Sequence, residues 1–389
     1  MRILIIIPRY LPGYKSGGPQ RTVQNICDVF SKDNDIFIVT QNVDFGETVP
    51  YDVKTNVWLE RYGISIMYVE PRNYNKDLFR KLYGEFDVIY ACGLFCQSTI
   101  DFMLINKQND NKKLYVAPMG VFSKNALAVK GIKKKTFLKA FSALGVFGKI
   151  IWSFTSEEEK REAIDAIGER NIKEYIIAED LPRSVDFELM RNNLKANDGL
   201  LKVIFLSRIV PKKNLSYAIE ILKKVTNGNI QFDIYGFQED KAYWKECEKT
   251  ISELPANIAC NYCGGINAEE SVITFSKYDI FLFPTLGENF GHVIYEALAA
   301  GCIPIISDTT PWKDFDEKDC GRVISIDDID GFRNAIRNYQ GMTVDEMKYA
   351  KLNTIKYAEN KYKESVSNSG YKAIFDAPET LVLGGGRAK

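Results

Sequence analysis

The stretch Pro284-Thr-Leu-Gly-Glu-Asn-Phe-Gly-His-Val-Ile-Tyr-Glu-Ala-Leu-Ala-Ala-Gly301 decides how this chain folds. It follows an apolar run, Ile280 to Phe283, and precedes a second one, Cys302 to Ile306, and both runs are typical of buried strands. The pattern therefore predicts a strand, a polar loop, a helix and another strand. Ligands of open parallel sheets bind beyond the carboxyl ends of the strands, so this loop is a candidate binding site.

Two carboxylates, Glu288 and Glu296, lie eight residues apart within this stretch. On a helix that begins near Phe290, Glu296 lies about two turns further along, on the same arc as His292 and opposite the apolar residues. We therefore expect Glu296 and His292 to face away from the core, and the free N–H groups at the helix start suit a phosphate. Taken singly, either glutamate could also be an ordinary solvated side chain.

A second candidate site follows the predicted strand Val203–Ser207. Arg208 and Lys213 lie in the loop beyond this strand, before a helix that starts near Leu215. Two cations suit a diphosphate, because Arg offers a bidentate fork and Lys a point charge. The alternative is a solvated loop with ordinary surface charge, but the combination with the glutamate stretch favours a binding site.

Together these segments resemble the retaining, nucleotide-sugar-dependent glycosyltransferases of the family 4 type, which have the GT-B fold. The resemblance is carried by the Glu-x7-Glu spacing of Glu288 and Glu296 and by the pair Arg208 and Lys213, although Asn214 stands where the family usually has Gly. It implies that Glu288 touches the hydroxyls of the donor sugar and Glu296 the nucleotide ribose. It also implies that Arg208 and Lys213 bind the donor diphosphate.

The resemblance extends to further residues around the donor. Its expected donor-binding set is Gly17, Gly18, Arg208, Lys213, Glu288, Asn289, Phe290, Gly291 and Glu296, with Arg208, Lys213 and Glu288 as the catalytic residues. The Gly17–Gly18 pair resembles the family's N-terminal glycine loop, which closes over the donor phosphates or faces the acceptor. A glycine pair in a loop is also consistent with simple turn chemistry.

On the acceptor side the chain departs from the family pattern. Met119 and Gly120 lie in a loop that usually carries an Arg or a His beside the acceptor, and Met119 takes the usual Arg position. Phe154 stands where relatives often have His. We name Met119, Gly120 and Phe154 as the acceptor-side candidates.

The chain of 389 residues suggests two domains, and its alternating strands and helices predict α/β architecture. The resemblance implies two Rossmann-like domains facing a cleft: an acceptor-binding domain over 1–185 and a nucleotide-sugar-binding domain over 186–355. A helix over 356–376 is expected to cross back to the N-terminal domain, and 377–389 to form a flexible tail. The predicted strands are Ile3–Ile7, Ile36–Thr40, Ile64–Val69, Asp87–Ala91, Leu114–Ala117, Ile150–Phe154, Ile176–Ala178, Val203–Ser207, Gln231–Tyr235, Ile258–Tyr262, Ile280–Phe283, Cys302–Ser307 and Arg322–Ile324.

The composition excludes several classes of protein. Lys plus Arg equals Asp plus Glu, 51 each, so no net charge attracts nucleic acid. No apolar stretch reaches the length of a membrane-spanning helix, and the first residues read as a strand and not as a signal peptide, so we expect a cytoplasmic protein. The single histidine, His292, excludes a multi-histidine metal site. Cys260 and Cys263 form an isolated C-x-x-C pair that we interpret as neither a metal site nor a redox site.

Two further segments have open interpretations. Residues 130–149 combine lysines with phenylalanines, which suits either a helix on an anionic membrane surface or a packed helix with a solvated lysine face. The Asp-x-Asp pairs at 33–35 and 314–316 could in principle hold a divalent ion, but neither accompanies Arg208 and Lys213 in sequence. We interpret both pairs as surface residues and expect no required metal and no cofactor besides the substrate nucleotide sugar.

The expected function is transfer of a sugar, with retention, from a nucleoside-diphosphate sugar to a hydroxyl of a glycan or lipid-linked saccharide. By analogy with the family, UDP-sugars are the commonest donors and bacterial surface polysaccharide the commonest destination. One alternative is another reaction on the same fold, by an epimerase or a glycan phosphorylase. Another is a catalytically silent scaffold that binds nucleotide sugars.

Overall fold

The computed structural model describes residues 1–109, 112–128, 131–194, 199–267 and 269–376. The chain divides into two compact units: unit 1 comprises Met1–Leu181 and the residues from Val366 onward, and unit 2 comprises Pro182–Ser365. The division after Leu181 lies four residues before the boundary expected at residue 185. The predicted tail, 377–389, lies outside the described residues.

Unit 1 is built on a sheet that has eight strands over the described residues, in the order β3-β4-β2-β1-β5-β6-β7-β8. All neighbours are parallel except β3, which runs antiparallel to β4. The central strands are buried on both faces, which explains their continuous apolar sequences. The strands are β1 Arg2–Ile6, β2 Asp35–Gln41, β3 Trp58–Arg61, β4 Ile64–Val69, β5 Val88–Cys92, β6 Lys113–Ala117, β7 Ile151–Phe154 and β8 Glu174–Ile177.

The sequence prediction missed β3, the edge strand of this sheet. It pairs with β4 in a tight hairpin whose turn residues, Tyr62 and Gly63, both have positive φ. Such turns are usually signalled by Asn-Gly or Asp-Gly, and a tyrosine at the first position hides the signal. All seven strands that the sequence predicts in unit 1 are present, with shifts of one or two residues at their ends.

Helices cover both faces of the unit 1 sheet. Val23 and Ile26 of the first helix pack on one face, and Phe102 and Met103 of the third pack on the other. The C-terminal residues Tyr371 and Phe375 join the first of these faces. The helices of unit 1 are α1 Gly18–Phe30, α2 Lys76–Tyr83, α3 Gln97–Asn109, α4 Lys124–Ala128, α5 Gly131–Ala143 and α6 Glu157–Ile167, with α14 Lys372–Phe375 from the C-terminal segment.

Unit 2 contains a sheet that has six strands over the described residues, all parallel, in the order β11-β10-β9-β12-β13-β14. The strands are β9 Leu201–Leu206, β10 Ile230–Tyr235, β11 Ile258–Gly264, β12 Ile280–Phe283, β13 Ile303–Ser307 and β14 Arg322–Ile324. The helices are α7 Phe187–Asn192, α8 Leu215–Lys223, α9 Lys241–Ile251, α10 Ser271–Phe275, α11 His292–Ala299, α12 Ile329–Gln340 and α13 Val344–Ser367. Because β10, β9, β12 and β13 are neighbours, the loops that follow them meet at one edge of the sheet.

The C-terminal helix corrects one prediction. It begins at Val344 and not at 356, and it continues to Ser367, so it enters unit 1 only in its last residues. The reason is that its first turns are part of unit 2: Lys351 and Ile355 are buried there. Lys351 Nζ lies 2.6 Å from Asp279 Oδ1, with 4% and 8% of the two side chains exposed, and it also donates to the carbonyl of Tyr278.

The buried pair of Lys351 and Asp279 should be a major contribution to the stability of unit 2. We expect Lys351→Met to lower the free energy of unfolding by about 3–5 kcal/mol, because it leaves a buried carboxylate without its counter-ion. Lys363 is paired with Glu359 on the same helix, and its side chain is 67% exposed. Lys363→Met is therefore the matched control and should cost less than about 1 kcal/mol. Urea unfolding of the full chain measures both; equal effects would contradict the prediction.

The residues before the division at Leu181 are hydrogen-bonded to helix α1. Asp180 accepts a hydrogen bond from the Thr22 hydroxyl at 2.8 Å, and Asn25 Nδ2 donates to the carbonyl of Leu181 at 2.6 Å. Burial raises the pKa of Asp180 from 3.8 to about 6; the Thr22 hydrogen bond opposes this rise and the charge of Glu159 adds to it.

This raised pKa predicts that the free energy of unfolding depends on pH. The folded state holds the Asp180 proton more tightly than the unfolded state, so stability is lost as the pH rises from about 4 to about 6. Asp180→Asn keeps an acceptor for Thr22 and should therefore gain about 3 kcal/mol over wild type at pH 7.5 but little at pH 4. Asp33→Asn, at an exposed position, serves as control. A difference in melting temperature that does not change with pH would refute this account.

Candidate functional site

The loops after β9 and β12 bring three predicted site residues together in unit 2. Lys213 Nζ lies 2.5 Å from Glu288 Oε1, and only 13% and 11% of the two side chains are exposed. Lys213 ends a 3-10 turn, and Asn214 follows it in the left-handed conformation with φ 61°. Asn is among the few residues that tolerate this conformation, which explains how it replaces the glycine usual in the family. Its Nδ2 also donates to the carbonyl of Pro284 at 2.9 Å.

The environment of Lys213 is unusual for a lysine. Burial lowers the pKa of its ammonium group, and the negative charge of Glu288 opposes this effect. The ammonium also lies 5.6 Å from the ring centre of Phe283, at the end of β12. Lys213 and Glu288 therefore form a fixed, partly desolvated pair at the carboxyl edge of the sheet.

A network of hydroxyl groups positions this pair, and the sequence prediction missed it. The Thr285 hydroxyl lies 3.2 Å from Glu288 Oε1 and 3.2 Å from the carbonyl of Lys212. The Thr285 carbonyl in turn accepts from Ser307 Oγ at 2.5 Å and Thr309 Oγ1 at 2.6 Å. In the sequence, only their positions indicate such a role: Thr285 follows β12, and Ser307 and Thr309 lie at and just after the end of β13.

Arg208 lies in the same group of loops but in a more open place. Its Nη1 is 2.9 Å from Oε2 of Glu239, which follows β10, and the two side chains are 49% and 44% exposed. The neighbouring Lys212 is exposed and forms no ion pair with any residue in the described parts of the chain. Three cations and two carboxylates thus meet here, with a formal sum of +1.

The start of α11 completes the site. The helix begins at His292, and Gly291 precedes it with φ 81°, at a place where Ile294 leaves no room for a Cβ. The carbonyl of Phe290 accepts a hydrogen bond from Trp312 Nε1 at 2.6 Å, and the two rings lie 5.4 Å apart. Asn289 is exposed. Trp312 is a further residue that the sequence prediction did not name.

Glu296 corrects the expectation that it faces away from the core. Only 5% of the residue is exposed. The helix that carries it is apolar nearly all round, and Tyr295 and Ala299 are as buried as Ile294. A helix that is apolar nearly all round is covered by other parts of the protein on both sides, so the face that carries Glu296 does not reach solvent.

Gly17 and Gly18 belong to unit 1. Gly17 precedes α1 with φ 67°, a conformation that favours glycine, and Gly18 is the first residue of the helix. The loop before them is ordered by Asp44, whose Oδ2 accepts from the backbone N–H of Tyr14 at 3.0 Å. Both glycines lie in unit 1, at the start of α1, and their expected role at the donor stays a prediction.

The acceptor-side candidates divide into two groups. Met119 and Gly120 both have positive φ, and the Gly120 N–H donates to Glu159 Oε1 at 2.6 Å. Glu159 also accepts from the N–H and hydroxyl of Thr155, at 2.8 and 2.9 Å, and it is buried. Phe154 is wholly buried, which corrects its assignment: it is a core residue stacked on Trp152.

Glu159 was not named from the sequence, although a signal existed. Ser156 caps α6, and Glu159 stands three residues later, which is the spacing of a capping box. Here the glutamate side chain reaches across to the Met119–Gly120 loop in addition to the start of its own helix.

Helix α5 presents two faces within unit 1. Leu138 is buried, and the rings of Phe137 and Phe141 pack at 4.1 Å. The exposed residues of the helix and its following turn are Ile132, Lys133, Lys135, Thr136, Lys139, Ala140, Ala143, Leu144 and Gly145. Ile132 is 85% exposed. Lys130, the first residue of the predicted segment, lies outside the described residues.

Most residues of the remaining candidate motifs lie on the surface or on an edge strand. Asp33, Asp35 and Asp316 are exposed, and Asp316 also accepts from the Val323 N–H at 3.0 Å. Asp314 corrects its interpretation as a surface residue, because it is half-buried and accepts from the Tyr357 hydroxyl at 2.7 Å. Within the described ranges, no group of three or more His, Cys, Asp or Glu residues could hold a metal ion. The same residues include no helix long and apolar enough to cross a membrane. Cys260 and Cys263 lie on the edge strand β11.

The part of the chain that carries these residues matches a known protein family. Residues 186–341 match the family described as glycosyl transferases group 1. This segment contains Arg208, Lys213, Glu288 and Glu296 and most of unit 2.

Two curated relatives match part of the chain. A glycogen synthase of Thermosipho melanesiensis is 32% identical over 101 residues, which are 26% of this chain and 20% of that protein. An uncharacterized 41.2 kDa protein in the cps region of Klebsiella pneumoniae is 25% identical over 233 residues, 58% of this chain and 61% of the relative. The chain therefore spans a fifth and about three-fifths of the lengths of these relatives.

Solved structures match nearly the whole chain. HepE from Anabaena, crystallised with UDP and glucose, is 14% identical, with a TM-score of 0.65 over 93% of this chain and 95% of that one. At this identity the likeness shows the fold alone. The chain therefore has the GT-B fold, and its residues 186–341 match the glycosyl transferases group 1 family.

Proposed function

We propose that this protein transfers a sugar, with retention, from a nucleoside-diphosphate sugar to a hydroxyl of a glycan or lipid-linked saccharide. The observation that carries the proposal is the meeting of Arg208, Lys213 and Glu288 at the carboxyl edge of β9 and β12, inside the family segment. UDP is the favoured nucleotide, and polysaccharide biosynthesis the favoured process.

The chemistry follows from the charges at this edge. When the bond between sugar and diphosphate breaks, negative charge grows on the leaving phosphate, and Arg208, Lys213 and the N–H groups at the start of α11 can stabilise it. Fixed donors of this kind contribute on the order of 10²–10³ in rate each. Because these cations are part of the protein, we propose that a metal ion is not required.

Glu288 is suited to orienting the sugar and not to attacking it. Its carboxylate is already engaged by the Lys213 ammonium and the Thr285 hydroxyl, which lowers its nucleophilicity and holds it in place. In the proposed retaining mechanism the acceptor hydroxyl attacks from the side of the leaving group, and the leaving phosphate takes the proton. The protein then needs no separate general base.

Two relatives support the choice of donor and process. HepE was solved with UDP and glucose, and the Klebsiella relative is encoded in a cps region. The same fold also accommodates the alternatives, an epimerase, a glycan phosphorylase or a silent scaffold. Product analysis separates them: a transferase releases the nucleoside diphosphate only when acceptor or water takes the sugar, whereas a scaffold binds without turnover.

The first test is nucleotide binding by isothermal titration calorimetry with UDP, GDP and ADP, in the presence and absence of EDTA. We expect UDP to bind best, with and without EDTA, and Arg208→Ala to weaken binding by roughly ten- to a hundredfold, since a hydrogen bond to a charged group contributes about 1.5–3 kcal/mol. Arg80→Ala, which removes an arginine paired with Asp77 on the surface of unit 1, is the matched control.

The outcome that would overturn the donor assignment is equally clear. If wild type bound no nucleotide, or if Arg208→Ala and Arg80→Ala bound UDP equally well, the loops of unit 2 would not be a diphosphate site. A binding protein without turnover on any acceptor would favour the scaffold.

We also propose that α5 makes a peripheral contact with an anionic membrane surface, as suits a cytoplasmic enzyme with a lipid-linked acceptor. Lys133, Lys135 and Lys139 are exposed beside Ile132 and Leu144, which combines charge attraction with apolar insertion.

Co-sedimentation with phosphatidylcholine vesicles that contain phosphatidylglycerol tests this contact. Changing Lys133, Lys135 and Lys139 together to Gln should reduce binding about a hundredfold, at about 1 kcal/mol for each charge. Changing Lys76, Arg80 and Lys81 of α2 to Gln removes the same charge elsewhere in unit 1. Equal loss in both triple variants would indicate that only net charge matters and would reject α5 as the contact.

A further inference from the structure

The two ion pairs of the unit 2 site differ in burial. The pair of Lys213 and Glu288 is nearly closed to solvent, whereas Arg208 and Glu239 are each about half exposed. A buried pair cannot open without leaving a charge in a poorly solvated place. An exposed pair opens easily, because water replaces each partner and salt screens the attraction. The Arg208–Glu239 pair is therefore the exchangeable one.

The backbones that carry Arg208 and Glu239 are held together. Ile209 N–H donates to the carbonyl of Phe237 at 2.9 Å, and Asp240 N–H donates to the carbonyl of Ile209 at 3.3 Å. Asp240 also caps helix α9. The loops after β9 and β10 are thus linked on both sides of the ion pair, so the pair opens by side-chain rotation while the backbone stays fixed.

Glu239 accepts from Nη1 of Arg208, and Arg binds phosphate and carboxylate through the same N–H groups. A diphosphate that takes both ends of the guanidinium fork therefore competes with Glu239 for Nη1. A carboxylate that remained beside the diphosphate would repel it. Lys212, exposed and without an ion pair among the described residues, keeps the site attractive to an anion while the exchange takes place.

We infer that Glu239 is the resting counter-ion of Arg208 and that an incoming diphosphate displaces it, so that Glu239 sets the affinity of the site. This inference rests on the proposed function, because it requires a diphosphate ligand at Arg208. Its consequence is that the site holds a nucleoside diphosphate less tightly than its cations alone would, which favours release of the product after sugar transfer.

The effect of removing the charge follows from the sum of charges. Glu239→Gln raises the formal sum at the site from +1 to +2, since only one carboxylate remains against three cations. We expect UDP and inorganic pyrophosphate to bind about three- to tenfold more tightly, with a steeper dependence on ionic strength. Gln has the same shape and still offers an oxygen to Arg208, so a merely structural role would not give this result.

The experiment is calorimetric titration of UDP and inorganic pyrophosphate into wild type, Glu239→Gln, Arg208→Ala and the double variant, at low and high salt. Glu253→Gln is the matched control, because Glu253 is paired with Lys223 in the same unit and its side chain is 48% exposed, close to the 44% of Glu239. The inference expects tighter binding for Glu239→Gln, a clearly smaller gain when Arg208 is also replaced, because only the repulsion by Glu239 is then removed, and no change for Glu253→Gln.

Two failures can be told apart. In the first case wild type binds both ligands and Arg208→Ala weakens the binding, but Glu239→Gln binds them no more tightly than wild type. Glu239 then does not compete, and the inference is overturned while the diphosphate site stands. If wild type binds neither ligand, the proposed function itself fails, and the inference fails with it.

Discussion

The candidate site depends on the buried contact between Lys213 and Glu288. The contact joins the loops that follow two neighbouring parallel strands. Each side chain neutralises the charge of the other, and either charge alone would be costly so far from solvent. Asn214 and Thr285 make the same connection through hydrogen bonds to Pro284 and Lys212. These bonds fix the distance between the cation-bearing loop and the start of the loop that leads to α11, and the other site residues are arranged around them.

Most of the fold and the charged site residues could be predicted because the parallel sheet dictates them. Continuous apolar strands mark a sheet buried on both faces, and the loops at its carboxyl edge must meet, so Arg208, Lys213 and Glu288 could be grouped from sequence. The contributions of Glu239, Ser307 and Trp312 could not be predicted, because they depend on the conformation of loops and not on the periodicity of the sequence. Glu296 misled for a related reason: helical spacing gives its direction, but only the tertiary structure shows that the helix is enclosed on both sides.

Unit 1 shows the limit of reasoning by resemblance. Phe154 was assigned to the acceptor side because of where a histidine stands in relatives, yet the side chain is packed against Trp152 in the core. The polar role near that position belongs to Glu159, which holds the backbone of Gly120 and Thr155. The capping-box spacing of Ser156 and Glu159 is the sequence feature that indicates these contacts.

Strand β12 shows why one half of the site is rigid and the other is not. Before the strand, Asp279 is held by the buried Lys351; after it, Glu288 is held by the buried Lys213. Both ends of the strand are therefore fixed by pairs that cannot open without a large electrostatic cost, which keeps Glu288 in position. Arg208 has an exposed partner instead. This division fits the demands of the proposed reaction, in which the sugar must stay in place while the charge on the diphosphate changes and the product must finally leave.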